Sequence, residues 1–133
     1  SERFLLKMEF EPKIPPRTFT VGVDGKILIK DSASILLQPN EQVTFKTDSG
    51  AEYDLVRKNW GFYSTPSLNG RLSSFGLRGA LIKNRITNKY FILLVEKGKE
   101  ALFDEYCNLE NLAVITWLDC EKALKDLEKK LLE

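Results

Sequence analysis

The sequence predicts an α+β fold, and three observations carry that expectation. An Asp-Gly pair at 24–25 sits between two β-rich runs. Beyond Gly98 the apolar period changes from two to about 3.6. Between two helical patterns lies a strand-length apolar run, Leu112–Leu118. The expected order is an N-terminal antiparallel β-meander, an ordered loop, then a hairpin and a helix–strand–helix C-terminal part. One domain spans 1–133, mainly β over 1–57, loop over 58–74 and mixed α/β over 75–133.

The elements follow in chain order. Thr18–Val23 and Lys26–Lys30 form a hairpin around Asp24-Gly25, because both turn residues accept positive φ. The segment before it, Glu11–Pro16, holds three prolines and is expected to stay out of a ladder as an extended edge. Ser34–Leu37 is a further short strand, followed by a Pro39-Asn40 turn. Gln42–Thr47 and Glu52–Val56 make a second hairpin closed by Asp48-Ser49-Gly50. Residues 60–73, with two glycines, a proline and several short polar residues, read as one ordered loop. Phe75–Lys83 and Lys89–Val95 then form a hairpin around Asn84–Asn88.

In the C-terminal third, Gly98 precedes a helix in which Leu102, Phe103, Tyr106 and Cys107 share a face. Leu112–Leu118 is apolar enough for a strand covered on both sides. Asp119 is the expected N-cap of the last helix, with Glu121 favouring the dipole in its first turn. Cys120, Leu124, Leu127 and Leu131 follow 4-3-4 spacing. That stripe is expected to lie on the protein's own sheet, and the competing reading is a homodimer through the C-terminal helix.

Composition excludes several chemistries. Histidine is absent, which removes Ser–His and Cys–His pairs, His-ligated zinc and an imidazole base. The two cysteines, Cys107 and Cys120, lie in no metal or redox motif and are expected to be buried, reduced thiols. No Walker-type phosphate loop, Gly-x-Gly-x-x-Gly fingerprint or nucleophile elbow is present. No metal site, cofactor or catalytic set is therefore expected, and the balance leans away from an enzyme. No apolar run approaches the ~20 residues that cross a bilayer. Ser1–Lys7 lacks the apolar core of a signal peptide, so the expected location is cytoplasmic.

Charge is distributed unevenly. Between Asp54 and Glu96 there is no acidic residue, while Arg57, Lys58, Arg71, Arg78, Lys83, Arg85 and Lys89 are all basic. Residues 1–54 hold seven Lys/Arg against nine Asp/Glu, and 96–133 hold six against ten, so the positive field is local. The same stretch opens with Trp60-Gly61-Phe62-Tyr63-Ser64-Thr65-Pro66-Ser67-Leu68-Asn69-Gly70-Arg71. Rings exposed in a loop are expected to pack or to bind. Trp60 and Tyr63 offer a stacking surface, Ser67 and Asn69 hydrogen bonds, and Arg71 and Arg78 positive charge for an anion.

Residues 60–97 and Trp117-Leu118-Asp119 resemble uncharacterised bacterial proteins found near surface-polysaccharide biosynthesis genes. The resemblance implies a sugar or nucleotide-sugar ligand and no catalytic residue. The leading expectation is a non-enzymatic binding or accessory protein whose loop 60–73 recognises an anionic or sugar-like ligand, or a protein partner. A single-stranded nucleic-acid module using the basic and aromatic stretch 55–95 is the first alternative. A histidine-independent sugar-modifying enzyme is the second.

Overall fold

The computed structural model describes residues 7–132, and within them the α+β class holds. Ser1–Leu6, most of the segment read for a signal peptide, lies outside the described residues. The chain divides into two compact units. One takes in the chain up to Thr44 together with Asp54–Thr65, and the other takes in Phe45–Tyr53 with everything from Pro66 onward.

In the first unit, β1 (Glu9–Val21) and β2 (Ile27–Leu36) form an antiparallel two-stranded ribbon. Three expectations change here. The prolines do not keep Glu11–Pro16 out of the ladder. Pro12 pairs with Ala33 and Arg17 with Asp31, so residues 13–16 bulge opposite Ser32. A bulge accommodates residues that have no N–H to donate. The turn is also wider than an Asp-Gly pair, since Val21 faces Ile27 and residues 22–26 make the connection. Gly22 and Gly25 both take positive φ there, at 96° and 67°. Finally, the two short strands expected at 26–30 and 34–37 are one continuous β2, because Asp31-Ser32-Ala33 contains no glycine or proline to break it.

The ribbon is amphipathic. Phe10, Phe19 and Val21 oppose Ile35, Ile29 and Ile27 on one face. The other face carries Glu9, Glu11, Thr18 and Thr20 with Leu36, Ser34, Lys30 and Leu28. Midway along the apolar face, Asp31 takes Lys13 Nζ at 2.6 Å and Arg17 Nε at 3.3 Å. The Lys13 contact first, with Arg17 assisting against desolvation, holds the Asp31 carboxyl below its usual range.

Next come β3 (Gln42–Lys46), β4 (Glu52–Lys58) and β5 (Gly61–Ser64), hydrogen-bonded in that order, with β4 and β5 antiparallel. β5 corrects the expectation that 60–73 is loop throughout. Lys58 pairs with Gly61, so Asn59-Trp60 is a two-residue hairpin tip, and Phe62-Tyr63 are good strand formers. Gly61, at φ 143°, supplies a backbone shape that other residues avoid. The far end of 60–73 departs as well: Arg71–Ser74 is a single helical turn, α1, with Leu72 fully buried.

The second unit contains the core. β6 (Leu77–Asn84) is the central strand of a sheet ordered β7–β6–β8, with β7 at Tyr90–Glu96 and β8 at Leu112–Trp117, all antiparallel. One face carries Ala80, Ile82 and Val95 and packs on Phe103 and Cys107 of α2 (Glu100–Glu110). Phe103 meets Trp117 edge-to-face with centroids 5.7 Å apart. α2 ends on Asn111 in the left-handed conformation, a common helix terminator. A smaller cluster joins Ala51, Leu72 and Leu77 with Tyr53.

β8 departs from the expected two-sided burial. It is an edge strand with a bulge at Ile115, whose side chain is exposed. Of the sharing face expected on α2, Phe103 and Cys107 are buried while Leu102 and Tyr106 are exposed.

α3 (Glu121–Leu132) closes the described chain. Its first turn begins at Cys120, whose carbonyl accepts the Leu124 N–H at 3.0 Å, so Asp119 is not the N-cap. Asp119 instead pairs with Arg78, as shown below. No residue of α3 is buried, and Leu127 and Leu131 are exposed. The expected pair of buried thiols is half right: both cysteines are free, but only Cys107 is buried. Among the described residues no helix is long and apolar enough to cross a membrane.

Candidate functional site

In the first unit an open groove of about 470 Å³ runs between the end of β2 and the β4–β5 hairpin. Its floor is apolar, from Ile35, Leu36 and Leu37, and its wall is Arg57, Lys58, Asn59, Trp60, Gly61 and Phe62. The hairpin explains why these side chains are displayed. A two-residue tip leaves Trp60 nothing in its own strand to pack on, and it is 73% exposed. Phe62 is 61% exposed beside Arg57, its cross-strand partner. Exposing two large rings side by side opposes the hydrophobic effect, so the arrangement is costly unless something covers them.

The basic groups of the groove are held by hydrogen bonds. Arg57 Nη1 donates to the Leu37 carbonyl at 2.7 Å, which ties β4 to the end of β2. The Arg57 backbone is pinned too, its N–H donating to the Glu41 carbonyl and its carbonyl accepting from Asn40. Lys58 Nζ donates to Asn40 Oδ1 at 2.7 Å, and an ammonium has three donors, so this bond orients the charge without exhausting it. Asn40 can serve because it sits at positive φ, 68°, in the turn after Pro39. Rings, an oriented ammonium and an amide lining one open groove suit stacking against a flat or ring-shaped ligand with an anionic group nearby.

Of the six residues the sequence singled out, only Trp60 lines this groove. Tyr63 pairs with Val56 and alternates to the face opposite Phe62. The other four belong to the second unit. Ser67 braces the turn that leads into α1, its Oγ accepting the Arg71 N–H at 2.9 Å and its carbonyl accepting the Leu72 N–H. Asn69 Nδ2 donates to Glu121 Oε1 at 3.3 Å. Arg71 lies over the Phe75 ring with its guanidinium carbon 5.1 Å from the centroid.

Arg78 is engaged in the core of its unit. Its Nε and Nη2 donate to the two Asp119 oxygens at 2.7 and 3.3 Å. Nη1 reaches Glu100 at 3.3 Å, and the guanidinium stacks 4.0 Å above Trp117. The bond to Asp119 raises the Arg78 pKa further and lowers that of Asp119. Glu100 is lowered chiefly by its own N–H and that of Gly98, with Arg78 a smaller contributor.

The sequence reading passed over Lys58, Asn59 and Phe62 as site residues. Asn59-Trp60-Gly61 is a turn signal between β-forming residues, and reading it as a hairpin would have brought these residues together at its tip.

The second unit has a larger groove of about 660 Å³, bounded by Thr116, Trp117 and Leu118 of the β8 end and by Ala123, Leu124 and Leu127 of α3. Among the described residues no group of three or more acidic or cysteine side chains is arranged to hold a metal ion. Burial, with the Asp104 charge nearby, raises the Cys107 thiol above its usual range and makes it a poor nucleophile. Compared with protein-family models, with curated proteins and with solved structures, the chain gives no match.

Proposed function

We propose that the protein is a small binding module for an anionic, sugar-like ligand, with the β2/β4–β5 groove as its site. The observation that carries this reading is the hairpin tip, where Trp60 and Phe62 stand exposed and line one groove together with Lys58 and Arg57. An indole face packs on the apolar face of a sugar ring or on a base, and the Lys58 ammonium pairs with phosphate or carboxylate. The resemblance to proteins found near surface-polysaccharide genes tilts the ligand from nucleic acid toward a sugar or nucleotide-sugar. Relative to the site expected from the sequence, Trp60 is kept, and Lys58 and Phe62 replace Arg71 and Arg78 as the nearest partners.

Calorimetric titration of the full chain with UDP-glucose, glucose 1-phosphate and a neutral disaccharide tests the reading. At least one phosphorylated compound is expected to bind. Trp60→Ala is expected to weaken it by about 1–3 kcal/mol, the worth of one stacked ring. Lys58→Gln is expected to lower affinity for the phosphorylated ligands and to leave the disaccharide unaffected. If none of the three compounds binds, or Trp60→Ala binds like the parent, the assignment fails. A dT oligonucleotide in the same series separates the nucleic-acid alternative, whose affinity would fall steeply with added salt.

A further inference from the structure

The β1–β2 ribbon presents an unsolved packing problem. Two strands alone are marginal in water, and three or more, or a covering element, are needed for stability. Yet among the described residues the sheet ends at β1 on one side and at β2 on the other, and its apolar face is exposed at Phe19, Ile29 and Ile35.

The two edges are not alike. β1 carries Pro12, Pro15 and Pro16 and a bulge opposite Ser32, all devices that blunt an edge against further pairing. β2 has neither proline nor glycine across its ten residues. One edge is closed to a further strand and the other is open.

We propose that β2 pairs antiparallel with β2 of a second copy about a two-fold axis through Ser32, giving a four-stranded sheet β1–β2–β2–β1. The register follows from the side chains. Only registers that keep the apolar faces on one side are admissible. With Ser32 on the axis, Ile29 lies opposite Ile35 of the second copy, Leu28 opposite Leu36, Asp31 opposite Ala33 and Lys30 opposite Ser34. Sliding two residues one way centres the axis on Asp31 and sets two carboxylates face to face, which is destabilising. Sliding two the other way sets Asp31 against Ile35. The Ser32 register sets Ile29 against Ile35 and Leu28 against Leu36, keeps the two Asp31 carboxylates apart and does not set Asp31 against an isoleucine. It is also isologous, as a two-fold interface requires.

Light scattering coupled to size exclusion on the full chain, over a dilution series, is the direct test. A dimer is expected. Ile29→Lys and Ile35→Glu should each weaken it by about tenfold or more, since symmetry makes each substitution break two cross-strand pairs. The double variant I29K/I35E should restore it, because each introduced ammonium then faces an introduced carboxylate across the axis. That recovery also rules out misfolding as the cause of the single losses. As an independent readout, Ser32→Cys in a Cys120→Ser background should form a covalent dimer on mild oxidation, since directly opposed strand residues lie about 4.5–5.5 Å apart at Cα. A chain that stays monomeric, a dimer indifferent to both single variants, single losses without recovery in the double variant, or a dimer lost only on Leu127→Glu in α3 would each overturn the proposal.

Discussion

Arg78 shows how far one side chain's role depends on partners remote in sequence. As one of seven cations in an acid-free stretch it reads as a ligand contact. In the fold it joins Asp119, 41 positions away, to Glu100 and caps Trp117. Nothing local in the sequence announces that pairing, because Asp119 also fits the pattern of a helix N-cap. The pair is part-buried, so removing the carboxylate leaves a guanidinium short of a partner in a place where water replaces it poorly. Asp119→Asn is expected to lower stability by about 1–3 kcal/mol at pH 7. The carboxyl's folded pKa lies below its unfolded value of about 3.9, so its contribution is complete above that value and is lost as pH falls through the folded value. Urea unfolding at pH 7 and again at pH 3 should therefore show the gap between parent and variant narrowing in acid. A gap that stays constant would mean that charge is not what the pair contributes.

Among the elements, α2 is held on its sheet by two buried side chains. Only Phe103 and Cys107 of its residues are buried, and they fill the space over Ala80, Ile82 and Val95. Phe103→Ala removes the ring that also meets Trp117, and should cost about 3–5 kcal/mol in denaturant unfolding. Leu102→Ala, on an exposed neighbour in the same helix, should stay within about 0.5 kcal/mol of the parent. Elements of this kind were legible in the sequence, since a 3.6-residue period is a local signal. The β6–β7 hairpin was legible for the same reason. What stayed hidden needed non-local information. The bulge that carries Pro12–Pro16 into a strand depends on where Arg17 finds Asp31. β5 was masked by turn-forming neighbours on both sides. The candidate site was read in part, since the Trp60 display is a local consequence of Asn59-Trp60-Gly61. The groove itself needs Ile35–Leu37, more than twenty positions upstream.

At the scale of the whole molecule, buried apolar surface is unequally shared. Both hydrophobic clusters belong to the second unit, while the first contributes Leu37 and the part-exposed face of its ribbon. Local opening free energy follows buried apolar contact, so amide exchange should be graded along the chain. Amides of β6, flanked by β7 and β8, should be the slowest, with those of α2 close behind. The ribbon separates two cases. As an isolated two-stranded element it would exchange within the fastest class, because among the described residues each strand has one bonded neighbour and neither buried cluster includes its side chains. Paired through β2 with a second copy, the outward amides of Ile27–Leu36 gain acceptors while those on the outer side of β1 do not. Exchange followed by mass spectrometry at high and low protein concentration should then show β2 peptides losing protection on dilution, with β6 peptides unchanged. Because opening of the second unit is intramolecular, concentration cannot alter it, so β6 serves as the internal reference. Equal exchange of β2 at both concentrations would leave the ribbon as an unsupported arm.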